Sequence, residues 1–157
     1  MSSLPKNTSS IRDRAVRVAV AVPGLVFLVY LLATRQLRSI GRMMVPPRAV
    51  FRPDTSVRDT IEQLRPLVRT AFITYGYVTD AAGKLLGIIT MRDLLFADND
   101  VRLDAIMLRE VFALKPGLLL PDAMKLVLDR HYPVYPVCDA AGVLVGLVRG
   151  QAMFQAQ

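Results

Sequence analysis

Thr90 and Asp93 form the sharpest local arrangement of polar side chains, because the hydroxyl precedes the carboxylate by three residues at a predicted helix start. A carboxylate accepts hydrogen bonds from two hydroxyl groups, and a helix start offers backbone N–H groups and a positive dipole end to an anion. The same Thr-x-x-Asp spacing forms an N-terminal capping box that needs no ligand. The pair therefore predicts a ligand contact, a local cap, or both.

Three further carboxylates follow within a short segment, namely Asp98, Asp100 and Asp104, with Asp93 one or two turns upstream. Oxygen ligands in a flexible arrangement suit Mg²⁺, which keeps several waters and binds through one or two carboxylates. The alternative is a solvated loop whose Asp side chains cap neighbouring elements. The spacing alone leaves both interpretations open.

The remaining reactive side chains are a lone histidine and a lone cysteine. His131 has no His or Cys at ligand spacing, and its place after an amphipathic helix favours a contact with the negative helix end. Cys138 lies on an apolar strand and is predicted to be a small buried hydrophobe. The sequence has no Ser–His–Asp set, phosphate-binding loop or metalloprotease motif, so we predict no catalytic residues and no enzyme activity.

Charge is unevenly distributed along the 157 residues. The first 42 hold seven Lys and Arg residues and one Asp, whereas the remaining 115 hold 13 basic and 12 acidic residues. A nucleic-acid-binding domain carries a basic stripe on its folded face, so we predict no nucleic-acid partner. A basic leader around an apolar run fits an anionic membrane surface better.

The apolar run, residues 18–33, is uncharged and would span about 24 Å as a helix, less than a hydrocarbon core of about 30 Å. Pro23-Gly24 divides it into a part that favours strand, residues 18–22, and a part that favours helix, residues 25–33. The leader, residues 1–40, is therefore predicted to contain a helix. The leader is then a membrane or interfacial anchor, a helix that packs against the rest of the protein or a dimer partner, or a segment that is not native to the protein.

An internal repeat organises the rest of the chain. Residues 80–89 read DAAGKLLGII and return 59 positions later, at residues 139–148, as DAAGVLVGLV. Met43-Met44 returns as Ile106-Met107 at a spacing of 63, so the first copy has four extra residues, which we place in a loop near residues 68–73. A period near 60 indicates two copies of one small α/β unit.

Each copy reads as β-α-β-β-α. The predicted strands cover residues 49–51, 73–79 and 85–90 in the first copy and residues 111–114, 134–138 and 143–149 in the second. Gly83 and Gly142 supply the positive φ that the tight turns need. Helical spacing predicts buried faces, and these consist of Val57, Ile61, Leu64 and Val68 in the first copy and Met124, Val127 and Leu128 in the second. Ser56 and Asp59 predict an N-terminal cap on the first helix.

This order of elements resembles a tandem pair of CBS domains (cystathionine-β-synthase-type repeats). The shared marks are the Met-rich lead-in, the Asp-x-x-Gly turn, the Gly-Ile-Ile-Thr strand end and the Thr90–Asp93 helix start. The resemblance implies an α/β fold in which two repeats, residues 41–100 and 101–157, pack as a pseudo-symmetric pair behind the apolar helical leader. In nucleotide-binding pairs, residues matching Thr90 and Asp93 hold the ribose hydroxyls of ATP or AMP.

Two segments are similar to the cytosolic CBS pair of MgtE-type magnesium transporters, and they are residues 39–44 (SIGRMM) and 92–98 (RDLLFAD). In that family the pair binds magnesium through carboxylates and closes the pore. The resemblance implies Mg²⁺ as a ligand, which favours the magnesium interpretation of Asp93, Asp98, Asp100 and Asp104. The second copy has Arg149 where the first has Thr90 and no acid three residues on, so at most one ribose site of this kind is expected per chain.

We therefore predict the regulatory, ligand-sensing CBS pair of a magnesium transporter, gated by Mg²⁺ and by adenine nucleotide at the cytoplasmic side of the cell membrane. Its partners would be a second copy, bound through the CBS helices, and a membrane pore domain that this sequence does not contain. The final helices carry Leu94-Leu95-Phe96 and Met153-Phe154, as core or as dimer faces. The alternatives are a stand-alone adenine-nucleotide sensor regulating a partner and a ligand-free dimerisation module.

Overall fold

The computed structural model of the chain describes residues 24–31 and 39–155, and the chain divides into two compact units, Met1–Arg38 and Ser39–Gln157. In the first unit, residues 24–31 form a helix (α1) with exposed apolar side chains from Leu25 to Tyr30. The strand predicted at residues 18–22 lies outside the described residues. No helix in the described ranges is long and apolar enough to cross a membrane.

The second unit has the predicted α/β organisation, repeated twice. The first repeat contains β1 (Val50–Phe51), α3 (Val57–Thr70), β2 (Tyr75–Thr79), β3 (Leu85–Thr90) and α4 (Met91–Phe96), preceded by a short lead-in helix, α2 (Ile40–Met43). The second contains α6 (Leu120–Val127), β4 (Val134–Cys138), β5 (Leu144–Arg149) and α7 (Gly150–Gln155), preceded by the lead-in helix α5 (Leu103–Ile106). β2 pairs with β1 in parallel and with β3 in antiparallel orientation, and β4 pairs with β5 in antiparallel orientation.

The strand predicted at residues 111–114 is wrong in extent, because only Leu114 pairs, in parallel with Val137. In the first repeat the Tyr77 N–H donates to the Ala49 carbonyl at 2.8 Å and extends the ladder. Pro136 occupies the position of Tyr77 in the second repeat and has no N–H to donate. The first strand of that repeat is therefore reduced to one residue. In the first repeat, β2 begins two residues later than predicted, at Tyr75.

The predicted buried faces of α3 and α6 are confirmed near the core, but the last residue predicted for each face is exposed. The buried residues are Val57, Thr60 and Leu64 on α3, and Leu120, Ala123 and Val127 on α6. Val68 and Leu128 are 51% and 59% exposed. α3 continues through Thr70, and the loop predicted near residues 68–73 is confined to residues 71–74, so Val68 lies near the C-terminal end of α3. The Ser56 hydroxyl caps α3 by accepting from the Asp59 N–H at 3.1 Å, as predicted.

Each lead-in segment packs on the opposite repeat. The Ile40 N–H donates to the Leu118 carbonyl at 2.9 Å, and Ile40 lies in the core of the second repeat. The Leu103 N–H donates to the Thr55 carbonyl at 3.0 Å, and Leu103 lies in the core of the first repeat. This exchange ties the two repeats into one pseudo-symmetric body.

The two Asp-Ala-Ala-Gly turns meet across the pseudo-symmetry axis. Gly83 and Gly142 have φ values of 80° and 84°, as predicted. The Leu85 N–H donates to the Gly142 carbonyl and the Leu144 N–H donates to the Gly83 carbonyl, both at 3.0 Å. The turns and the exchanged lead-ins therefore fix how the sheets face each other.

Candidate functional site: two unequal clefts between the repeats

Two clefts lie between the repeats, at positions that the pseudo-symmetry relates. The large cleft has a volume of about 460 Å³ and the small cleft about 150 Å³. Their corresponding lining residues, large cleft first, are Val45 and Leu108, Arg48 and Val111, Ala49 and Phe112, Leu147 and Ile88, and Arg149 and Thr90. The two clefts are therefore formed by corresponding positions of the two repeats but differ in volume and in charge.

The large cleft is basic at its rim. Arg48 and Arg149 line it, both are exposed, and neither forms an ion pair or a side-chain hydrogen bond with another residue of the described ranges. No carboxylate is among its lining residues within the described ranges. Guanidinium groups bind phosphate and carboxylate oxygens in bidentate fashion, so this rim suits an anion.

The wall of the large cleft is aromatic and contains an unpaired hydroxyl. Phe72 lies at the edge of the cleft and is 82% exposed, and Tyr75 lines the cleft beside the buried Tyr77. Burial raises the pKa of the Tyr75 hydroxyl, and the nearby tyrosines 132 and 135 raise it further, so Tyr75 stays neutral. The Thr74 Oγ1, buried in the same wall, has no hydrogen-bond partner among the described residues. Aromatic faces near a basic rim suit a flat ring that carries an anionic group.

Thr90 and Asp93 form the predicted capping box at the start of α4. The Asp93 Oδ2 accepts from the Thr90 hydroxyl at 2.7 Å and from the Thr90 N–H at 2.9 Å. The Asp93 N–H donates back to the Thr90 Oγ1 at 3.2 Å. Thr90 lines the small cleft, not the large one. The residues predicted to hold a ribose are therefore already paired with each other, beside the smaller volume.

The structure does not gather the acidic residues predicted to bind Mg²⁺ into a cluster. Within residues 24–31 and 39–155, no group of three or more His, Cys, Asp or Glu side chains lies close enough to hold a metal ion. Asp100 pairs with Arg58 at 3.5 Å, and Asp104 pairs with Arg102 at 3.5 Å. Asp98 is exposed. Two of these carboxylates thus have an arginine counter-charge.

The other predictions for single residues fare differently. Cys138 is buried, as predicted, and burial followed by the neighbouring Asp139 raises the pKa of its thiol. His131 is exposed and has a φ of 50° just after the turn that ends α6. The sequence reasoning missed Arg48 and Phe72, and it took Arg149 as the loss of a ribose site. Arg149 could have been recognised as the gain of a cation at a position that corresponds to Thr90 and lines a cleft.

The family comparison covers both repeats. The CBS domain family matches residues 38–100 and 102–155. The chain is 33% identical over 109 residues to the magnesium transporter MgtE of Thermus thermophilus, and this match covers 69% of this chain and 24% of that protein. It is 25% identical over 150 residues to inosine-5'-monophosphate dehydrogenase of Nitrosopumilus maritimus, covering 90% of this chain and 31% of that enzyme. The chain therefore spans only a quarter to a third of these relatives.

Solved structures show the same fold. The cytosolic domain of the Mg²⁺ channel MgtE, in complex with ATP, aligns with a TM-score of 0.71 and 30% identity over 76% of this chain and 49% of that one. CBSX2 in complex with AMP aligns with a TM-score of 0.63 and 26% identity over 75% of this chain and 94% of that one. The exchanged lead-ins, the paired turns and these similarities agree, and the chain belongs to the CBS domain family as a tandem pair similar to MgtE cytosolic domains.

Proposed function

We propose that this CBS pair is a regulatory module that binds an adenine nucleotide in its large cleft and passes the bound state to a transporter of the MgtE kind. The observation that carries the proposal is the large cleft itself. Its volume of about 460 Å³ falls within the range of roughly 300–1,000 Å³ typical of small-molecule sites, and two arginines that have no side-chain partner among the described residues stand at its rim.

In the proposed binding mode, one set of lining residues holds the phosphates and another contacts the base. Arg48 and Arg149 would hold the phosphate oxygens, because a guanidinium matches two of them at once. Phe72 and Tyr75 offer ring faces to the base, and the unpaired Thr74 hydroxyl is available to a polar group after a small shift of the wall. ATP and AMP both fit this description, and solved relatives in complex with each support the choice.

Binding would reach a partner through the exchanged lead-in. The cleft walls come from the first lead-in, at Val45 and Arg48, and from β5 of the second repeat, at Leu147 and Arg149. Val45 and Leu147 are joined by two backbone hydrogen bonds at 2.8 Å, so a ligand held by both Arg48 and Arg149 would stabilise this docked arrangement of the lead-in over a displaced one, and so shift the population of states.

Calorimetric titration of the full 157-residue chain with ATP and with AMP tests the proposal. Arg48→Gln with Arg149→Gln should weaken ATP binding at least tenfold and reduce its dependence on salt, because two charge-assisted contacts are lost. Arg65→Gln is the matched control, since Arg65 is exposed on α3 and does not line the cleft. Equal ATP affinity in the double variant and the control would contradict the proposal.

A magnesium-sensing role is the second candidate, favoured by the similarity to MgtE. The proposed ligands are Asp93 and the exposed or half-buried Asp98, Asp100 and Asp104 around the segment that joins the repeats. An ion there would compete with Arg58 for Asp100 and with Arg102 for Asp104. It would therefore bind weakly unless a second domain or copy adds oxygen ligands.

The final helices support a homodimer as the working assembly. On α4, Leu94 is buried whereas Leu95 and Phe96 are 79% and 82% exposed, and on α7 Met153 is buried whereas Phe154 is 50% exposed. Each helix thus has a core residue and an uncovered apolar side, in contrast to a helix that serves the core alone. Light scattering should find two chains per particle, and Phe96→Ser should shift the mass toward one. A monomer at all concentrations would exclude this assembly.

A further inference from the structure

We propose that the Phe112 side chain fills the small cleft and limits each chain to one nucleotide, which rests on the nucleotide binding proposed above. The two clefts derive from the same unit, and most of their lining positions correspond. Phe112 stands where the large cleft has Ala49, so a benzyl group occupies the space that a methyl group leaves open on the other side. The small cleft has about a third of the volume, about 150 Å³ against 460 Å³.

The Phe112 ring is held in place from two directions. Its edge-to-face contact with Tyr135 has ring centroids 6.2 Å apart and an interplanar angle of 83°. The Arg130 guanidinium lies 4.0 Å from the Phe112 ring centroid, a cation–π contact. Tyr135 is 1% exposed, and its hydroxyl accepts from the Tyr132 N–H at 3.1 Å, which fixes the ring on which Phe112 packs. Phe112 is therefore part of the packed wall and does not swing freely.

The small cleft, which Phe112 also lines, retains one element of a nucleotide site. Thr90 lines it, and the Thr90 hydroxyl is bonded to Asp93, whose carboxylate is suited to ribose hydroxyls. Val111 replaces the arginine found at position 48, and Glu110 adds a negative charge that opposes phosphate. Removing the Phe112 ring should uncover a second, weaker site that depends on Asp93.

The test is the stoichiometry of ATP binding, measured by calorimetry on the full chain. We expect one ATP per chain in the unaltered protein and two in Phe112→Ala, with the second bound more weakly. Adding Asp93→Asn to Phe112→Ala should return the count to one, while Asp93→Asn alone should keep it at one. If Phe112→Ala does not fold, Phe112→Leu takes its place. This variant keeps an apolar side chain in the wall, and two ATP per chain is again the expected result.

The outcomes separate this proposal from the proposed function. One ATP per chain in both the unaltered protein and the folded Phe112 variants would overturn the role of Phe112 and leave the large-cleft site standing. Two ATP per chain in the unaltered protein would also overturn it. No binding to the unaltered protein, together with one Asp93-dependent site in Phe112→Ala, would overturn the large-cleft function and support the role of Phe112. No binding to any variant would overturn both.

Discussion

Met107 lies directly over Gly87, so that a Cβ on Gly87 would stand 2.8 Å from the Met107 Cγ and 2.9 Å from the Leu108 carbonyl oxygen. Met44 covers Gly146 in the same way, with its Sδ 2.7 Å from the corresponding point. Each lead-in thus crosses the last strand of the opposite repeat at a glycine. The glycines are required here by close approach of the lead-in and not by a positive φ.

Gly87→Ala should destabilise the protein by about 1–3 kcal/mol, the usual cost of overpacking a well-packed contact. The Met107 side chain can shift, but the Leu108 carbonyl is backbone and its bond from the Ile88 N–H, at 3.0 Å, holds it in place. Urea unfolding of the full chain measures the loss. Gly117→Ala is the control, because nothing lies within 4 Å of a Cβ at that position. Equal unfolding midpoints for the two variants would show that the lead-in is not packed this tightly.

The sequence was sufficient to predict the fold because the repeat itself carries the information. Two Asp-Ala-Ala-Gly turns, one period apart, locate the hairpins, and the glycines take the positive φ that those turns require. The exchange of lead-ins was not predictable, since the pattern does not reveal which repeat Ile40 and Leu103 pack against. The shortened strand at Leu114 was predictable in principle from Pro136, which cannot donate a ladder hydrogen bond.

The candidate site was predicted less well than the fold. Thr90 and Asp93 were recognised by spacing, but spacing does not report how much room a cleft has. We attribute the difference in room to Ala49 and Phe112, which occupy corresponding positions in the two repeats and differ strongly in side-chain size. A volume set by packing across an interface has no local sequence signal, whereas a capping box is local and was predicted correctly.

Tyr77→Phe should make the protein less sensitive to alkaline pH. Burial, followed by the neighbouring Tyr75, raises the pKa of the Tyr77 hydroxyl above its ordinary value of 10.0. The neutral side chain is therefore fully tolerated below pH 10, and stability is lost as the pH rises further, because the unfolded chain releases this proton first. One pH unit above 10 this amounts to about 1.4 kcal/mol.

Urea midpoints measured from pH 8 to pH 11 test this expectation, with Tyr30→Phe as the control because Tyr30 is 63% exposed. The unaltered protein and Tyr30→Phe should decline together above pH 10. Tyr77→Phe should decline less steeply, with the remaining slope due in part to Cys138, whose raised thiol pKa acts in the same direction. Parallel declines in all three proteins would contradict the assigned role of Tyr77.

Millimolar Mg²⁺ should compact the full chain if the acidic segment senses the ion. Asp98 and Asp100 are exposed, and among the residues that the structure describes Asp100 has only the Arg58 contact at 3.5 Å to offset its charge. A divalent ion between carboxylates relieves their repulsion and favours the arrangement in which they lie closer. Small-angle scattering should therefore show a smaller radius of gyration in Mg²⁺ than in chelator, at a constant ionic strength set with NaCl.

Asp98→Asn with Asp100→Asn should abolish the compaction, while Arg58→Gln should shift it to lower Mg²⁺ because the competing guanidinium is gone. Asp122→Asn is the matched control, since Asp122 is an exposed carboxylate paired with Lys125 on α6, outside the segment that joins the repeats. If the control variant responds and the double variant does not, the ion acts through this segment. If the unaltered protein has the same radius of gyration in chelator and in excess Mg²⁺, the magnesium role is excluded for this chain, and the nucleotide cleft is left as its regulatory site.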